Sequence, residues 1–140
     1  MEPSDRPLRI AIADDDDRVR DFFCRALRLL GYEVVVEAAD GEQLVAGCLA
    51  TRPDLIITDA HMPRLNGVEA VRRIWRTRQL PAILVTGLPD AELLDGDKGP
   101  HTPLCLVKPV PLVELRQAIV RAAARQASAM SRGPMSSFGA

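Results

Sequence analysis

The sequence predicts an α/β fold in which a parallel sheet is covered by helices on both faces. Short apolar segments of strand length alternate along the chain with longer segments whose apolar residues recur at helical spacing, and there are five of each. The strand segments are almost continuously apolar, which is typical of parallel strands buried on both faces. With 140 residues, 47% of them hydrophobic, the chain is long enough for one domain with its own core.

The predicted strands are the five most apolar short segments. They are rich in Ile, Val and Leu, and they comprise residues 8–13, 33–36, 55–58, 82–86 and 104–107. The first predicted helix, residues 17–30, carries apolar residues at helical spacing and ends at Gly31. A second helix begins after Asp40, a good N-cap, and ends before Pro53. Its predicted inner face is formed by Leu44, Val45, Cys48 and Leu49.

The remaining helices follow turn-rich segments. The loop 61–67 leads into a third helix that bears Val68, Val71, Ile74 and Trp75. Pro111 is compatible with the first turn of a final helix, which we expect to run to about residue 127. Residues 88–103 contain two Gly, three Pro and four acidic residues, which dilute any helical pattern. We therefore expect the helix there to be short or irregular.

The composition and the terminal segments limit the classes of protein to which the chain could belong. Residues 1–7 are expected to be a flexible N-terminus, residues 8–127 the folded domain and residues 128–140 a disordered tail. A net charge of -1 gives no electrostatic footprint for nucleic acid. Without a signal peptide or a long apolar run, we expect a cytoplasmic protein with no membrane association. The three cysteines have no short spacing, which indicates buried free thiols.

Charged residues stand at the ends of three predicted strands. Asp14 and Asp15 follow the first strand, Asp59 follows the third, and Lys108 follows the fifth. The carboxyl ends of parallel strands converge on one crevice, where such folds bind ligands. Carboxylates brought together there suit a hard cation such as Mg²⁺, and the lysine suits a phosphoryl group. Asp59 beside the cation could act as a nucleophile towards phosphorus.

Each of these residues also has an ordinary interpretation. The acidic pair could belong to a solvated helix start, which is the better interpretation of Asp16 and Asp17. Asp59 could cap a turn, Thr86 could be an ordinary strand residue, and Lys108 could be an exposed loop lysine. Individually the signals are weak, but chance rarely supplies all of them together.

The chain resembles the receiver domains of two-component response regulators over about residues 8–127. The resemblance is carried, in the family's order and spacing, by Ile-Ala-Asp-Asp-Asp (12–16), Pro-Asp-Leu-Ile-Ile-Thr-Asp (53–59), Met-Pro-Arg-Leu-Asn-Gly (62–67), Leu-Val-Thr-Gly (84–87) and Val-Lys-Pro (107–109). It implies the flavodoxin-like doubly wound fold, with strand order 2-1-3-4-5 and about five helices.

The resemblance also implies roles for the strand-end residues. Asp59 is the expected phosphoacceptor, taking a phosphoryl group from a histidine of a sensor histidine kinase or histidine phosphotransfer protein. Asp15 is the expected direct Mg²⁺ ligand and Asp14 mainly a ligand through water, joined by Asp59 and by the backbone carbonyl of His61. Thr86 and Lys108 are the residues expected to contact the phosphoryl group.

The same resemblance suggests how the protein acts. It implies a phosphoprotein that switches its surface towards a downstream protein target. The expected protein is not an enzyme beyond assisting its own phosphorylation and dephosphorylation, and it is a monomer or a weak phosphorylation-dependent dimer. Cys105 stands where the family usually has an aromatic switch residue, and the irregular segment 88–103 replaces its fourth helix. His61 and Leu88 occupy positions that influence phosphoryl hydrolysis in the family. The chain could be a stand-alone regulator or a fragment of a hybrid kinase.

Two other functions remain open at this point. A haloacid dehalogenase-like phosphohydrolase would use an Asp nucleophile on the first strand, in an Asp-x-Asp pattern that Asp14 and Asp16 satisfy, but it leaves Asp59 unexplained. A receiver fold that is no longer phosphorylated would act as a pure interaction module. The retained acidic pair, Asp59, Thr86 and Lys108 argue against that module, whereas the altered segment 88–105 favours it.

Overall fold

A computed structural model of the chain describes residues 6–87 and 103–139, with side chains as far as residue 125. The elements in chain order are β1 (Arg9–Ala13), α1 (Asp17–Leu29), β2 (Glu33–Ala38), α2 (Gly41–Thr51), β3 (Leu55–Asp59), α3 (Gly67–Thr77), β4 (Ala82–Thr86), β5 (Leu104–Val107) and α4 (Leu112–Gly139). All four strand pairings are parallel, and the strand order is β2-β1-β3-β4-β5. The predicted fold class and strand order are therefore confirmed.

Two apolar clusters cover the two faces of the sheet. Successive residues of a strand point to opposite faces, so Ile10 and Ile12 join one cluster and Ala11 and Ala13 the other. The first cluster also contains buried residues of α1 and α4, and the second contains buried residues of α2 and α3. This arrangement explains why the strands are apolar at almost every position.

The helix starts follow the capping pattern of the sequence. Asp16 caps α1 by accepting hydrogen bonds from the amides of Arg18 and Val19. Asp40 caps α2 as predicted, and α2 ends at Thr51, with Arg52 as its C-cap directly before Pro53. One expectation about α2 was wrong: Leu49 is 50% exposed. A residue next to Cys48 lies about 100° further around the helix, which turns Leu49 away from the core side of α2.

The last helix differs in length from the sequence prediction. Its backbone is helical to Gly139, whereas we expected an end near residue 127. Residues 121–127 are all Ala, Arg or Gln, which have high helix propensity, but the segment beyond them contains Gly133 and Pro134, so local propensity does not account for the extension. The four helices named above are those of the described residues. The short or irregular helix expected at 88–103 falls almost wholly on residues 88–102, which lie outside them.

Candidate functional site

The carboxyl edge of the sheet brings the predicted site residues together. Asp14 follows β1, Thr86 is the last residue of β4, and Lys108 follows β5. Asp59 is the last residue of β3 and pairs with Val85 of β4, so it lies one position further into the sheet than the sequence predicted. Because β1, β3 and β4 are neighbours, their final residues share one edge.

Lys108 bridges two carboxylates at this edge. Its Nζ lies 3.0 Å from Oδ2 of Asp14 and 3.3 Å from Oδ2 of Asp59. The side chain of Asp14 is 2% exposed and that of Asp59 is 10% exposed. Burial lowers the pKa of Lys108, but the hydrogen bond and charge of Asp14, together with Asp59, outweigh burial and raise that pKa. The lysine is therefore a fixed cation between two carboxylates at neutral pH.

Asp14 is held at its carboxylate and at its backbone. Its Oδ1 accepts a hydrogen bond from the amide of Asp16 at 2.9 Å, and its own amide donates to the carbonyl of Ala38 at 3.0 Å. Burial raises the pKa of Asp14, and the bonds from Asp16 and Lys108 offset only part of that effect. Ionised Asp14 is thus costly in the absence of further positive charge, which is how a site that attracts cations behaves.

Asp59 is oriented by the loop that follows it. Its Oδ1 accepts a hydrogen bond from the amide of His61 at 3.1 Å, which leaves Oδ2 directed to Lys108. The side chain of Thr58 donates to the backbone carbonyl of Asp59 at 3.0 Å. The sequence suggested only the carbonyl of His61 as a functional group, and the contact made by its amide was missed because it depends on the loop conformation.

Thr86 and Lys108 are joined through their backbones. The amide of Lys108 donates to the carbonyl of Thr86 at 2.8 Å, and the Lys108–Pro109 peptide bond is cis. Thr86 is 2% exposed, at the end of β4. This backbone contact keeps the residue after β5 beside the end of β4, which directs the lysine back over the edge of the sheet.

Three carboxylates of the site lie close to the spacing that one divalent cation requires. Oxygen atoms of Asp14, Asp15 and Asp59 lie within 4.8 Å of one another, and Asp15 is exposed. Ligand oxygens on opposite sides of Mg²⁺ are about 4.2 Å apart, so the three carboxylates could share one ion after shifts of a few tenths of an ångström. All three offer hard oxygen donors. The residues present therefore fit Mg²⁺ in both kind and spacing.

Other residues near the edge were not singled out by the sequence as parts of the site. A Cβ atom on Gly67 would lie 2.0 Å from the backbone oxygen of Asp59, so only glycine allows α3 to begin there. Asn66 caps α3 by accepting from the amide of Glu69. The adjacent Asn and Gly were a recognisable turn signal. The close approach to Asp59 had no signal in the sequence, because it depends on how α3 docks.

The cysteines are separate from this site. Cys24 and Cys48 are buried as predicted, but Cys105 is only partly buried. Cys105 lies in the middle of β5, next to Leu84 of β4, and β5 is the last strand of the sheet among the described residues. In the part of the chain that the structure describes, no helix has both the length and the apolar character needed to cross a membrane.

The fold and the carboxyl-edge site define a doubly wound α/β domain with an acidic pocket and an adjacent lysine. The sequence model for the response regulator receiver domain matches residues 10–120, and the chain belongs to this family. Receiver domains bind Mg²⁺ at an acidic pocket of this kind, and they generally act in signalling, through kinases, phosphotransfer proteins and effectors, rather than as enzymes.

Relatives and solved structures agree with this assignment. The chain is 34% identical over 119 residues to the transcriptional regulatory protein PdtaR of Mycobacterium tuberculosis, covering 85% of this chain and 58% of PdtaR. It is 40% identical over 86 residues to protein-glutamate methylesterase/protein-glutamine glutaminase 4 of Geobacter metallireducens, covering 61% of this chain but 25% of that protein. The chain thus spans only part of the length of these relatives.

Several solved structures resemble the chain over almost their full length. The signal receiver domain of an HD domain-containing protein from Pseudomonas fluorescens Pf-5 superposes with a TM-score of 0.76 at 29% identity, covering 88% of this chain and 99% of that one. The chemotaxis protein CheY4 of Vibrio cholerae superposes with a TM-score of 0.74 at 27% identity, covering 84% and 99% of the two chains.

Proposed function

We propose that this protein is a phosphoacceptor response regulator, in which Mg²⁺-dependent transfer of a phosphoryl group to Asp59 switches a surface for protein partners. The observation that carries the proposal is the convergence of Asp14, Asp15, Asp59 and Lys108 at one edge of the sheet. The donor would be a histidine of a sensor kinase or of a phosphotransfer protein. A downstream protein target would recognise the phosphorylated form, in the cytoplasm.

The proposed reaction uses the carboxylate of Asp59 as the nucleophile. One of its oxygens attacks phosphorus, the P–N bond to the donor histidine breaks, and the electron pair returns to the imidazole. Mg²⁺, held by Asp14, Asp15, Asp59 and the backbone carbonyl of His61, would neutralise charge on the carboxylate and on the incoming phosphoryl group. The amide of His61 already holds Oδ1 of Asp59, so the orientation of the nucleophile is preset.

Lys108 and Thr86 are the proposed contacts of the transferred group. The Nζ of Lys108 lies 3.3 Å from Oδ2 of Asp59 and can contact the phosphoryl oxygens once the aspartate is phosphorylated. Thr86 has its hydroxyl at the adjacent strand end and would hydrogen-bond the same group. Movement of these two residues would alter the surface around β4 and β5, where Cys105 replaces the family's usual aromatic switch.

The phosphohydrolase alternative finds little support in the geometry. It would need Asp16 beside Asp14 at the reacting centre, whereas the carboxylate of Asp16 caps α1. The phosphorylation-independent interaction module remains the alternative that an experiment must separate from the proposal, because it predicts the same fold.

The test is the intact mass of the protein after incubation with acetyl phosphate and Mg²⁺. We expect one phosphoryl group to be added and to be lost on mild alkaline treatment, because acyl phosphates hydrolyse readily. The Asp59→Asn variant and a sample with EDTA should gain none. If the wild-type protein also gains none and binds no Mg²⁺, the interaction module replaces this proposal. If Asp59→Asn is still modified while Asp14→Asn is not, the nucleophile is on β1 instead.

A further inference from the structure

Arg20, in the first turn of α1, contacts the acidic segment 14–17 but has no role in the reaction proposed above. Its Nη1 donates to the backbone carbonyl of Asp14 at 2.8 Å, and its Nη2 pairs with the carboxylate of Asp17. The side chain is 20% exposed, although the helix lies at the surface. Side chains on a helix lean towards its N-terminus, so a long side chain at this position can reach back over the loop.

The carbonyl that accepts this bond belongs to the peptide group between Asp14 and Asp15. The orientation of this peptide group determines the direction in which the Asp15 side chain leaves the backbone, and so where its carboxylate lies relative to that of Asp14. The amide of Asp14 is fixed by Ala38, and its carboxylate is fixed by Asp16 and Lys108. The guanidinium of Arg20 fixes the remaining polar atom of Asp14. Without it, the peptide that leads to the exposed Asp15 could rotate.

The second contact of Arg20, with Asp17, is one of the different contacts that the four consecutive aspartates make. Asp14 faces Lys108, Asp16 caps α1, and Asp17 is paired with Arg20 on the outer side of the helix start. Asp15 makes none of these three contacts. Its side chain is exposed, and one of its oxygens lies near those of Asp14 and Asp59. The planar guanidinium group of Arg20 can donate to two acceptors at once, whereas the ammonium group of a lysine could not do so with the same geometry.

We propose that Arg20 is a positioning residue for the Mg²⁺ site, which orients the Asp14–Asp15 peptide so that both carboxylates face the ion. This inference rests on the proposed function, because it concerns the same metal. Mutation of a group that orients a metal ligand commonly lowers metal affinity by about 10-fold to 100-fold.

Electrostatics alone predicts the opposite result, which makes the inference testable. Removing a cation near three carboxylates makes the local potential more negative and should tighten Mg²⁺ binding. Loss of the orienting bond should weaken Mg²⁺ binding. The direction of the change in Arg20→Ala therefore separates a positioning role from a role in charge balance.

The experiment is calorimetric titration of the unphosphorylated protein with Mg²⁺. We expect Arg20→Ala to raise the Kd about 10-fold and Arg20→Lys, which keeps the charge but not the two-pronged contact, to raise it by a smaller factor. Arg25→Ala is the matched control, since Arg25 is on the same helix in an exposed pair with Asp21, and its Kd should stay within about twofold of wild type. Asp17→Asn should also stay within about twofold, because the bond to Asp14 survives.

A second measurement follows the loop without metal. Amide exchange of Asp16, whose N–H donates to the Asp14 carboxylate, should become faster in Arg20→Ala than in wild type, and thermal unfolding confirms that each variant is folded at the temperature used. An unchanged or lower Kd in Arg20→Ala overturns the inference, as does an effect of Asp17→Asn equal to that of Arg20→Ala. If the wild-type protein binds no Mg²⁺, the proposed function fails as well.

Discussion

At the scale of single residues, the carboxylates of the site repel one another in the absence of a metal ion. Asp14 and Asp59 both present Oδ2 to one ammonium group, and both are nearly buried. Two carboxylates so placed repel each other, and burial weakens the screening of that repulsion. Lys108 is the fixed countercharge, and a divalent ion would supply more.

Replacing Lys108 with Met should expose that repulsion. In EDTA, we expect Lys108→Met to lower the free energy of unfolding by about 2 kcal/mol, because two nearly buried carboxylates lose their countercharge. Adding Mg²⁺ should stabilise the variant more than it stabilises wild type. Urea unfolding with EDTA and with Mg²⁺ measures both effects.

The matched control is Arg28→Met, which removes a cation from an exposed pair with Glu37. That change should cost no more than about 0.5 kcal/mol. Equal stability of Lys108→Met and wild type in EDTA would show that the lysine does not offset the repulsion.

At the scale of elements, the start of α3 is built directly against the end of β3. The amide of Gly67 donates to the carbonyl of Ala60 at 3.0 Å, and the glycine has no side chain to collide with Asp59. The short loop between them therefore returns the chain to the sheet within a few residues. The position of the proposed phosphoacceptor depends on this docking as well as on the strand.

The Gly67→Ala variant tests this close approach. A Cβ atom 2.0 Å from the oxygen of Asp59 must displace either α3 or the backbone of Asp59. We expect a loss of about 2 kcal/mol or more in unfolding free energy, as for overpacked sites, and weaker Mg²⁺ binding. Urea unfolding and calorimetry measure the two changes.

Gly87→Ala serves as the comparison, since a Cβ atom there meets no atom of residues 6–87 or 103–139 within 4 Å. Its stability should stay within about 0.5 kcal/mol of wild type. If the two variants are equally stable, α3 can adjust without cost and the close approach is not a constraint.

At the scale of the whole molecule, the sheet carries an apolar layer on each face, and each layer contains one buried thiol. Cys24 belongs to the layer with α1 and α4, and Cys48 to the layer with α2 and α3. Burial, with Glu37 adding to it for Cys24, raises the pKa of each thiol from 9.0 to about 12. Both thiols therefore stay protonated in the folded protein at a pH where the unfolded chain ionises.

This difference predicts a loss of stability in alkaline solution. Above pH 9.0 the unfolded state binds fewer protons than the folded state, so the free energy of unfolding falls as the pH rises towards about 12. Each thiol should contribute a loss of about 1 kcal/mol between about pH 9 and pH 10. Urea unfolding in that range, with reductant present, measures the slope.

Alanine variants assign the slope to the two layers. Cys24→Ala and Cys48→Ala should each flatten the pH dependence by the contribution of one thiol, and the double variant by both, whatever their effect on stability at pH 7. A double variant with the wild-type slope would contradict the assignment of this pH dependence to the thiols.

The order and type of the predicted elements follow from local signals along the chain. The apolar strands, the Asp16 and Asp40 caps and the stop before Pro53 are local signals, and local hydrogen bonding and burial decide them. The same strands placed Asp14, Asp59 and Lys108 at one edge of a parallel sheet, so the members of the site were predictable from their positions in the chain.

How those residues contact one another depends on the packing of distant segments. Lys108 contacts Asp14, which is 94 positions away in the sequence, and Asp59, which is 49 positions away. The orientation of Asp59 by the His61 amide depends on a loop conformation. The fork of Arg20 and the fit of Gly67 against Asp59 arise when helices dock on the sheet. Local patterns determine which residues a segment presents, whereas contacts a few ångströms long between distant segments depend on the packing of the entire chain.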